Sequence, residues 1–261
     1  MRLLNLFKKK VKPYQVLTRN PPLIDPCRKL AVFWTPKAGC TFITKWFFSQ
    51  AGLLDEALQY HPFVHKYRIQ VYQQSRAHSK GVKDFLRHPG RYKIIKIVRD
   101  PYQRAVSSYL HTNKHSYADA ALAACLRREI NAAHRFSFRE FLHFLAGVDI
   151  HDCNPHYKAQ VHHLELTKGI VPDYILNLEN AVGELAGLER DLDLHNTGVE
   201  KLVASGHHTI RRPWSGFAGD RVFNMATGLA VPEADAFYNP ELRQQVAYVY
   251  REDFRRYGGA F

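Results

Sequence analysis

The chain has 261 residues, of which 46% are hydrophobic and 23% are charged. This length suits one domain with a sizeable core, and the ordinary composition excludes a disordered chain, a collagen-like chain and a coiled coil. The charge is unusual, because 37 Lys and Arg against 24 Asp and Glu give a net charge of +13. Such an excess predicts an anionic partner: a nucleic acid, a membrane surface, an acidic polymer or a phosphorylated cofactor.

Residues 1–26 are predicted to form a basic leader, and residues 27–261 a single folded domain. The leader begins with four bulky apolar side chains followed by lysines, too short an apolar run for a signal peptide or a membrane span. We expect either a frayed terminus or a peripheral membrane contact through residues 1–12. The cysteines show no paired short spacing of a disulfide scaffold or zinc ribbon, so a reducing, cytoplasmic location is expected.

Apolar runs alternate with helical patterns along the chain. Residues 30–34 form a nearly continuous apolar run, which predicts a buried strand, and apolar residues at helical spacing follow up to Gly52. Residues 94–98 repeat the strand pattern, and Asp100 and Pro101 then supply the N-cap and first turn of an amphipathic helix.

The second half of the chain continues this alternation. A third strand is predicted at residues 174–178, and helices are predicted after the Ser137 capping box and after Asn239, the latter with apolar residues facing inward as far as Phe254. Buried strands that alternate with helices predict an α/β fold with one central parallel sheet flanked by helices on both faces.

Two loops follow predicted strands and lead into predicted helices, whose free N-terminal N–H groups attract anions. In the first loop, Lys37 supplies a positive charge, Gly39 permits close backbone approach, and Thr41 supplies a hydroxyl donor. In the second, Arg99 ends its strand and Ser107 lies two turns into the helix. Each loop is therefore predicted to hold a phosphate-type group. Neither has the Walker spacing, and no GxGxxG fingerprint occurs.

The run PKAGCT at residues 36–41 resembles the 5′-phosphosulfate-binding loop of sulfotransferases, most closely that of the carbohydrate sulfotransferases. The run IVRDPYQRAVSSY at residues 97–109 is similar to their 3′-phosphate-binding motif, including the eight-residue step from arginine to serine. Residues 154–160 and 248–258 also resemble that family. The resemblance implies a fold related to the P-loop nucleotide kinases and 3′-phosphoadenosine-5′-phosphosulfate (PAPS) as the donor, with no metal.

The resemblance also implies roles for individual residues. Lys37 holds the bridging and 5′-phosphate oxygens, Phe42 stacks on adenine, and Arg99 with Ser107 takes the 3′-phosphate. The implied cofactor-binding set is Lys37, Ala38, Gly39, Cys40, Thr41, Phe42, Arg99 and Ser107. Arg211 and Arg212 match the late basic loop of the family only weakly. Arg104 is expected to brace its own helix by pairing with Asp100 or a neighbour.

The predicted chemistry is direct in-line transfer of SO₃ to an acceptor hydroxyl or amine. Lys37 is the predicted catalytic cation, because negative charge grows on the leaving oxygen. The acceptor must lose a proton, so a histidine is expected as general base. Small-molecule sulfotransferases place theirs about two dozen residues before the 3′-phosphate arginine, and His78 lies 21 residues before Arg99. His61 and His65 on the same segment and His156 further along the chain remain alternatives, as do a carboxylate and no base at all.

The predicted acceptor is a glycan, a glycolipid or another hydroxylated molecule, and the excess positive charge favours an acidic one. The competing functions are a non-enzymatic binder of polyanions or nucleic acid, and a nucleotide kinase of related fold. No helix-turn-helix, zinc finger or Walker motif supports them, so no nucleic-acid partner is expected. A zinc site at His151, Cys153 and His156 matches no standard spacing, and no metal site is predicted.

Overall fold

The computed structural model describes residues 21–203, 211–225 and 230–261. The membrane contact predicted for residues 1–12 therefore lies outside the described residues.

A mostly parallel sheet forms the centre of the fold. Its strand order is β1-β2-β3-β4; β2, β3 and β4 are parallel, and β1 pairs antiparallel with β2. The strands are β1 Leu23–Asp25, β2 Leu30–Phe33, β3 Lys93–Val98 and β4 Tyr174–Asn177. The three predicted strands are thus confirmed as β2, β3 and β4. The sequence did not predict β1, which is three residues long and lies within the stretch assigned to the leader.

Helices cover both faces of this sheet, as predicted. The described α-helices are α1 Cys40–Gln50, α2 Leu54–Tyr60, α3 His65–Gln70, α4 Arg76–Arg87, α5 Pro101–Lys114, α6 Asp119–Leu126, α7 Phe138–Ala146, α8 His163–Thr167, α9 Ala181–Asp191, α10 Pro240–Val249 and α11 Arg251–Tyr257. A small separate parallel pair joins β5 Arg211–Arg212 to β6 Val231–Pro232.

Alternate side chains of the strands enter different hydrophobic clusters, as expected for a sheet buried on both faces. Val32 and Ile95 pack in a cluster with α1 and α9. Phe33 and Ile94 pack in another cluster, which includes Phe85 of α4. A third cluster joins α5, α7 and α10 beside the sheet. Along the chain α1 follows β2 and α5 follows β3, so both helices begin beyond the carboxyl ends of these strands.

Local capping sets where the helices begin. Asp100 caps α5 by accepting the Gln103 N–H at 2.9 Å, and the predicted capping box of Ser137 is present at α7. The helix predicted after Asn239 is two helices, because it is interrupted at Tyr250 (φ −103°, ψ 26°). The buried Tyr250 hydroxyl donates to the Tyr157 carbonyl oxygen at 2.9 Å, which holds the chain at this break.

No helix among the described residues is both long and apolar enough to span a bilayer. All four cysteines have free thiols.

Candidate functional site

The loop between β2 and α1 begins with a tight turn. The Ala38 N–H donates to the Thr35 carbonyl oxygen at 3.2 Å, and Lys37 has a φ of +70°. With Pro36 before it, Lys37 occupies the turn position that glycine normally takes in a type II turn. A side chain in this left-handed region costs about 1 kcal/mol, and such strain clusters at functional sites. The fold therefore accepts strain where it presents Lys37.

Gly39 brings the loop against the end of β4 and leaves the start of α1 open. Its φ is +70°, and a Cβ at this position would lie 2.4 Å from Leu178 Cδ1. No side chain of the described residues caps α1, and its first turn contains no acidic residue. The first-turn N–H groups and the positive end of the helix dipole are therefore available to an anion.

The second motif holds the first in place through two arginines. Arg99 Nη1 donates to the Lys37 carbonyl oxygen at 3.3 Å, and Arg104 Nε donates to the Pro36 carbonyl oxygen at 3.2 Å. Arg104 is fully buried and braces the loop between β2 and α1, rather than its own helix as expected from the sequence. Arg99 also pairs with Glu179 at 3.1 Å. The two motifs therefore form one site.

Gln160 connects this site to the interior. Its side-chain amide accepts the Arg99 N–H at 2.9 Å and donates to the Arg99 carbonyl oxygen at 2.8 Å. Its own backbone N–H donates to the buried Asp253 carboxylate at 2.8 Å, and its carbonyl oxygen accepts Lys96 Nζ at 2.5 Å. Gln160 had no predicted role, and the one signal for it was its place in the family-like segment 154–160.

Positive charges surround the Lys37 ammonium. Burial lowers the pKa of Lys37 to about 8; the Cys40 thiol opposes this shift, and the charges of Arg99, Arg104 and Lys114 reinforce it. Among the described residues, no carboxylate pairs with Lys37. An anion that enters such a cluster of cations stabilises it by reducing the repulsion between like charges.

A group of stacked rings lies within electrostatic reach of Lys37. The His111 and His156 ring centroids are 4.1 Å apart, and those of His111 and His115 are 4.5 Å apart. Burial lowers the pKa of His156 to about 4, and the Lys37 charge acts in the same direction. The pKa of His111 falls to about 2 for the same two reasons. These imidazoles are therefore neutral at neutral pH.

His156 was predicted as an alternative base, whereas His111 and His115 had no predicted role. One signal for His111 was available, because it follows Ser107 by four residues and so shares its face of α5. His115 follows α5 directly, and no pattern in the sequence linked it to Lys37.

The tautomer of His156 follows from its contacts with Asn154. Asn154 Oδ1 accepts the backbone N–H of His156 at 3.0 Å, so this atom is an oxygen acceptor. The same oxygen lies 2.9 Å from His156 Nδ1. Nδ1 must therefore carry the proton, and Nε2 of the neutral ring keeps its lone pair.

Two of the other candidate bases, His78 and His61, lie away from Lys37. His78 is buried at the start of α4, where its ring packs 4.8 Å from that of Tyr72, and burial lowers its pKa. His61 is exposed after α2, and its Nδ1 accepts the Phe63 N–H at 2.8 Å. Among the described residues, neither ring contacts Lys37 or Arg99.

The other residues predicted to contact the cofactor, Ser107, Thr41 and Phe42, lie in the first two turns of α5 and α1. Ser107 is half-buried in the second turn of α5, and its neighbour Ser108 donates to the His156 carbonyl oxygen at 2.7 Å. Thr41 Oγ1 lies 3.2 Å from Nε2 of His65, in α3. Phe42 is half-buried against the cluster that contains α1.

The two late arginines differ in their surroundings. Burial lowers the pKa of Arg211, and the charge of Arg99 acts in the same direction, so Arg211 lies within electrostatic reach of Arg99. Arg212 instead lies over the Trp214 ring, 5.0 Å from its centroid.

Within the described part of the chain, no group of three or more potential ligands could hold a metal ion.

The chain was compared with known proteins. A family model described as the sulfotransferase family matches residues 21–258, which include both loops, the histidine cluster and Gln160. No curated protein and no solved structure matches the chain.

Proposed function

We propose a donor and an acceptor for this chain, which belongs to the sulfotransferase family: the donor is PAPS, and the sulfuryl group passes directly to a hydroxyl of a carbohydrate or glycolipid. One observation carries the proposal. Lys37 and Arg99 follow adjacent parallel strands and are joined by the Arg99 Nη1 to Lys37 carbonyl hydrogen bond. Two cationic loops at neighbouring strand ends suit a ligand with two anionic groups, and PAPS carries a phosphosulfate and a separate 3′-phosphate.

The residues of the first loop fit the phosphosulfate end. The uncapped start of α1 offers backbone donors at Cys40 and Thr41, and Gly39 leaves room for close approach. Arg99, Ser107 and the nearby Arg211 supply positive charge and a hydroxyl for the 3′-phosphate. When bound, PAPS supplies an activated sulfuryl group on its 5′-phosphate.

In this proposal Lys37 stabilises the charge that grows on the leaving phosphate oxygen. Lys37 is half-buried among cations, so its ammonium gains most from an oxygen that becomes more negative during the reaction. The first-turn N–H groups of α1 point to the same region and act together with Lys37.

His156 is the general base that the contacts favour. Its ring is neutral, and Asn154 holds the proton on Nδ1, so Nε2 is free to accept the proton of the acceptor hydroxyl. The charge of Lys37 contributes to its lowered pKa, which supports a position of the ring near Lys37. His78 and His61 remain the alternatives from the sequence.

A pair of variants separates these bases. We expect His156→Gln to lower kcat by about 10²-fold or more, as losses of a general base do. We expect His78→Gln to retain kcat, since that ring packs on Tyr72 away from Lys37. A large loss of kcat in His78→Gln with a normal His156→Gln would transfer the role to His78.

The donor is tested by thermal unfolding with three ligands. We expect 3′-phosphoadenosine-5′-phosphate (PAP) to stabilise the protein by about 2.7 kcal/mol at a hundred times its Kd. ATP with Mg²⁺ tests the nucleotide kinase, and an oligonucleotide tests the non-enzymatic polyanion binder. A clear shift with either of these and none with PAP would contradict the proposal.

Two arginine variants test where PAP binds. Arg99→Ala should weaken PAP binding about 10-fold or more, as expected for lost charge-assisted hydrogen bonds. Arg76→Ala, at the exposed start of α4, should leave PAP affinity unchanged.

A further inference from the structure

Arg68 is a buried cation for which the described residues supply no carboxylate partner. It lies in α3, and only 8% of its surface is exposed. Its Nε and Nη1 atoms are buried without a hydrogen-bond partner, and no carboxylate of the described residues forms an ion pair with it. Burial lowers its pKa to about 10, so the guanidinium is still charged at neutral pH. An unpaired buried charge is costly, which points to a partner that arrives with a ligand.

The Arg68 guanidinium lies beside the loop between β2 and α1. It sits over the Trp34 ring, 4.0 Å from its centroid, and Trp34 is the residue between β2 and the loop. Trp34 also stacks near His65, which contacts Thr41 in the first turn of α1. Arg68 thus approaches this helix end from α3, whereas Lys37 approaches it from the loop.

The surroundings of Arg68 favour an oxyanion. Trp34 holds the guanidinium plane in one orientation, and Thr41 adds a hydroxyl and His65 an imidazole on the same side of α1. A planar guanidinium binds sulfate, phosphate and carboxylate groups through paired N–H donors. The positive end of α1 adds to the attraction for an anion.

We propose that Arg68 forms an oxyanion subsite beside the first turn of α1, distinct from the positions assigned to Lys37 and Arg99. The inference rests on the proposed function, because the same helix end is the proposed phosphosulfate site. Two sources supply a suitable group: the sulfuryl group of the donor, and a carboxylate or sulfate on an acidic acceptor.

Inorganic sulfate is the probe for the subsite, with saturating PAP present to fill the two phosphate positions. We expect Arg68→Met to weaken sulfate binding about 10-fold or more in calorimetry. Lys66→Met is the matched control, because Lys66 is exposed on the same helix, and its sulfate affinity should equal that of the unchanged protein. Equal sulfate affinity in Arg68→Met and the unchanged protein would overturn the proposal.

Folding is checked in the same samples. Arg68→Met removes an unpaired buried charge, so its melting temperature should equal or exceed that of the unchanged protein. Arg68→Lys retains the charge and loses the planar fork, and it should bind sulfate with intermediate affinity. If Arg68→Met does not fold, an Arg68→Lys variant that binds sulfate as tightly as the unchanged protein overturns the proposal by itself.

The failure of the subsite and the failure of the proposed donor give different results. A protein that binds no PAP contradicts the proposed function, and a sulfate titration without PAP then still compares Arg68→Met with Lys66→Met. A protein that binds PAP, and whose sulfate affinity does not change in Arg68→Met, retains its donor and loses the subsite.

Kinetics identify the source of the oxyanion. If the acceptor supplies it, Arg68→Met raises KM for glucuronate-containing glycans and leaves KM for neutral glycans unchanged. If the donor supplies it, Arg68→Met raises KM for PAPS with every acceptor while PAP affinity stays constant. Unchanged KM values for PAPS and for both kinds of glycan contradict the subsite.

Discussion

Two of the regions in which the described residues bury cations differ in what neutralises them. In the centre of the sheet, Lys96 Nζ lies 2.7 Å from Glu165 Oε1, and Tyr257 donates to the same carboxylate. Around the start of α1, Lys37 and Arg68 have no carboxylate partner among the described residues. The first arrangement is complete within the chain and supports the fold. In our proposal the second is completed by an anion from outside the chain, the phosphosulfate donor or an acidic acceptor.

The largest effect is expected at the complete pair. Lys96→Met leaves the Glu165 carboxylate buried without its cation, which should lower the free energy of unfolding by about 3–5 kcal/mol. Lys93→Met is the matched control on the same strand, because its exposed ammonium lies 3.9 Å from Asp173 and such surface pairs contribute about 1 kcal/mol or less. Urea denaturation measures both, and equal losses would erase the distinction between the two regions.

The opposite pattern is expected at the incomplete cluster. Lys37→Met should leave the melting temperature unchanged or raised, because it removes one of several like charges. It should lower kcat by about 10²–10³-fold, the usual effect of removing a group that stabilises an oxyanion. Lys83→Met, exposed on α4, is the control for the loss of one lysine. A destabilised Lys37→Met protein with normal kcat would assign Lys37 to the fold.

A smaller effect is expected from pH. The pKa of Lys37 is lowered to about 8, so the free protein holds this lysine charged below pH 8 and neutral above it. Binding of an anion requires the charged form, so PAP affinity should be constant below pH 8 and fall by up to about tenfold per pH unit above it. Calorimetric titrations between pH 7 and pH 10 measure this, with Lys37→Met as the reference. The same slope in both proteins would show that a group other than Lys37 causes the pH dependence.

The lowered pKa of Lys37 also determines whether its contribution to stability rises or falls with pH. Since the folded pKa lies below the unfolded value, the unfolded chain binds more protons between pH 8 and the ordinary lysine pKa of 10.5. The contribution of Lys37 to stability in the free protein therefore increases as pH rises through this window.

The sequence predicted the parts of the fold and site whose signals are local. The strands β2 and β3, the cap at Asp100 and the residues Lys37, Gly39 and Arg99 all follow from short runs of chain, because each strand, loop and helix start is continuous in sequence. The short strand β1 shows too few residues to form a pattern. The left-handed conformation of Lys37 was also hidden, because glycine is the usual signal for that turn position.

Contacts between distant segments could not be read from those runs. Arg104 donates to the Pro36 carbonyl oxygen across a separation of 68 residues. The Gln160 side chain forms hydrogen bonds with the Arg99 backbone across 61 residues. The stacking of His111 on His156 depends in the same way on how α5 packs against the segment that precedes α8. Spacing along the chain favoured His78 for the base, whereas the tertiary contacts favour His156.

Sulfuryl transfer from PAPS is measured by incubating the protein with PAPS that carries radiolabelled sulfate and a panel of glycans, glycolipids, phenols and peptides. We expect label in a glycan or glycolipid with the unchanged protein, and about 10²-fold less with Lys37→Met. Binding of PAP without transfer of label to any acceptor, or equal transfer by Lys37→Met, would contradict it.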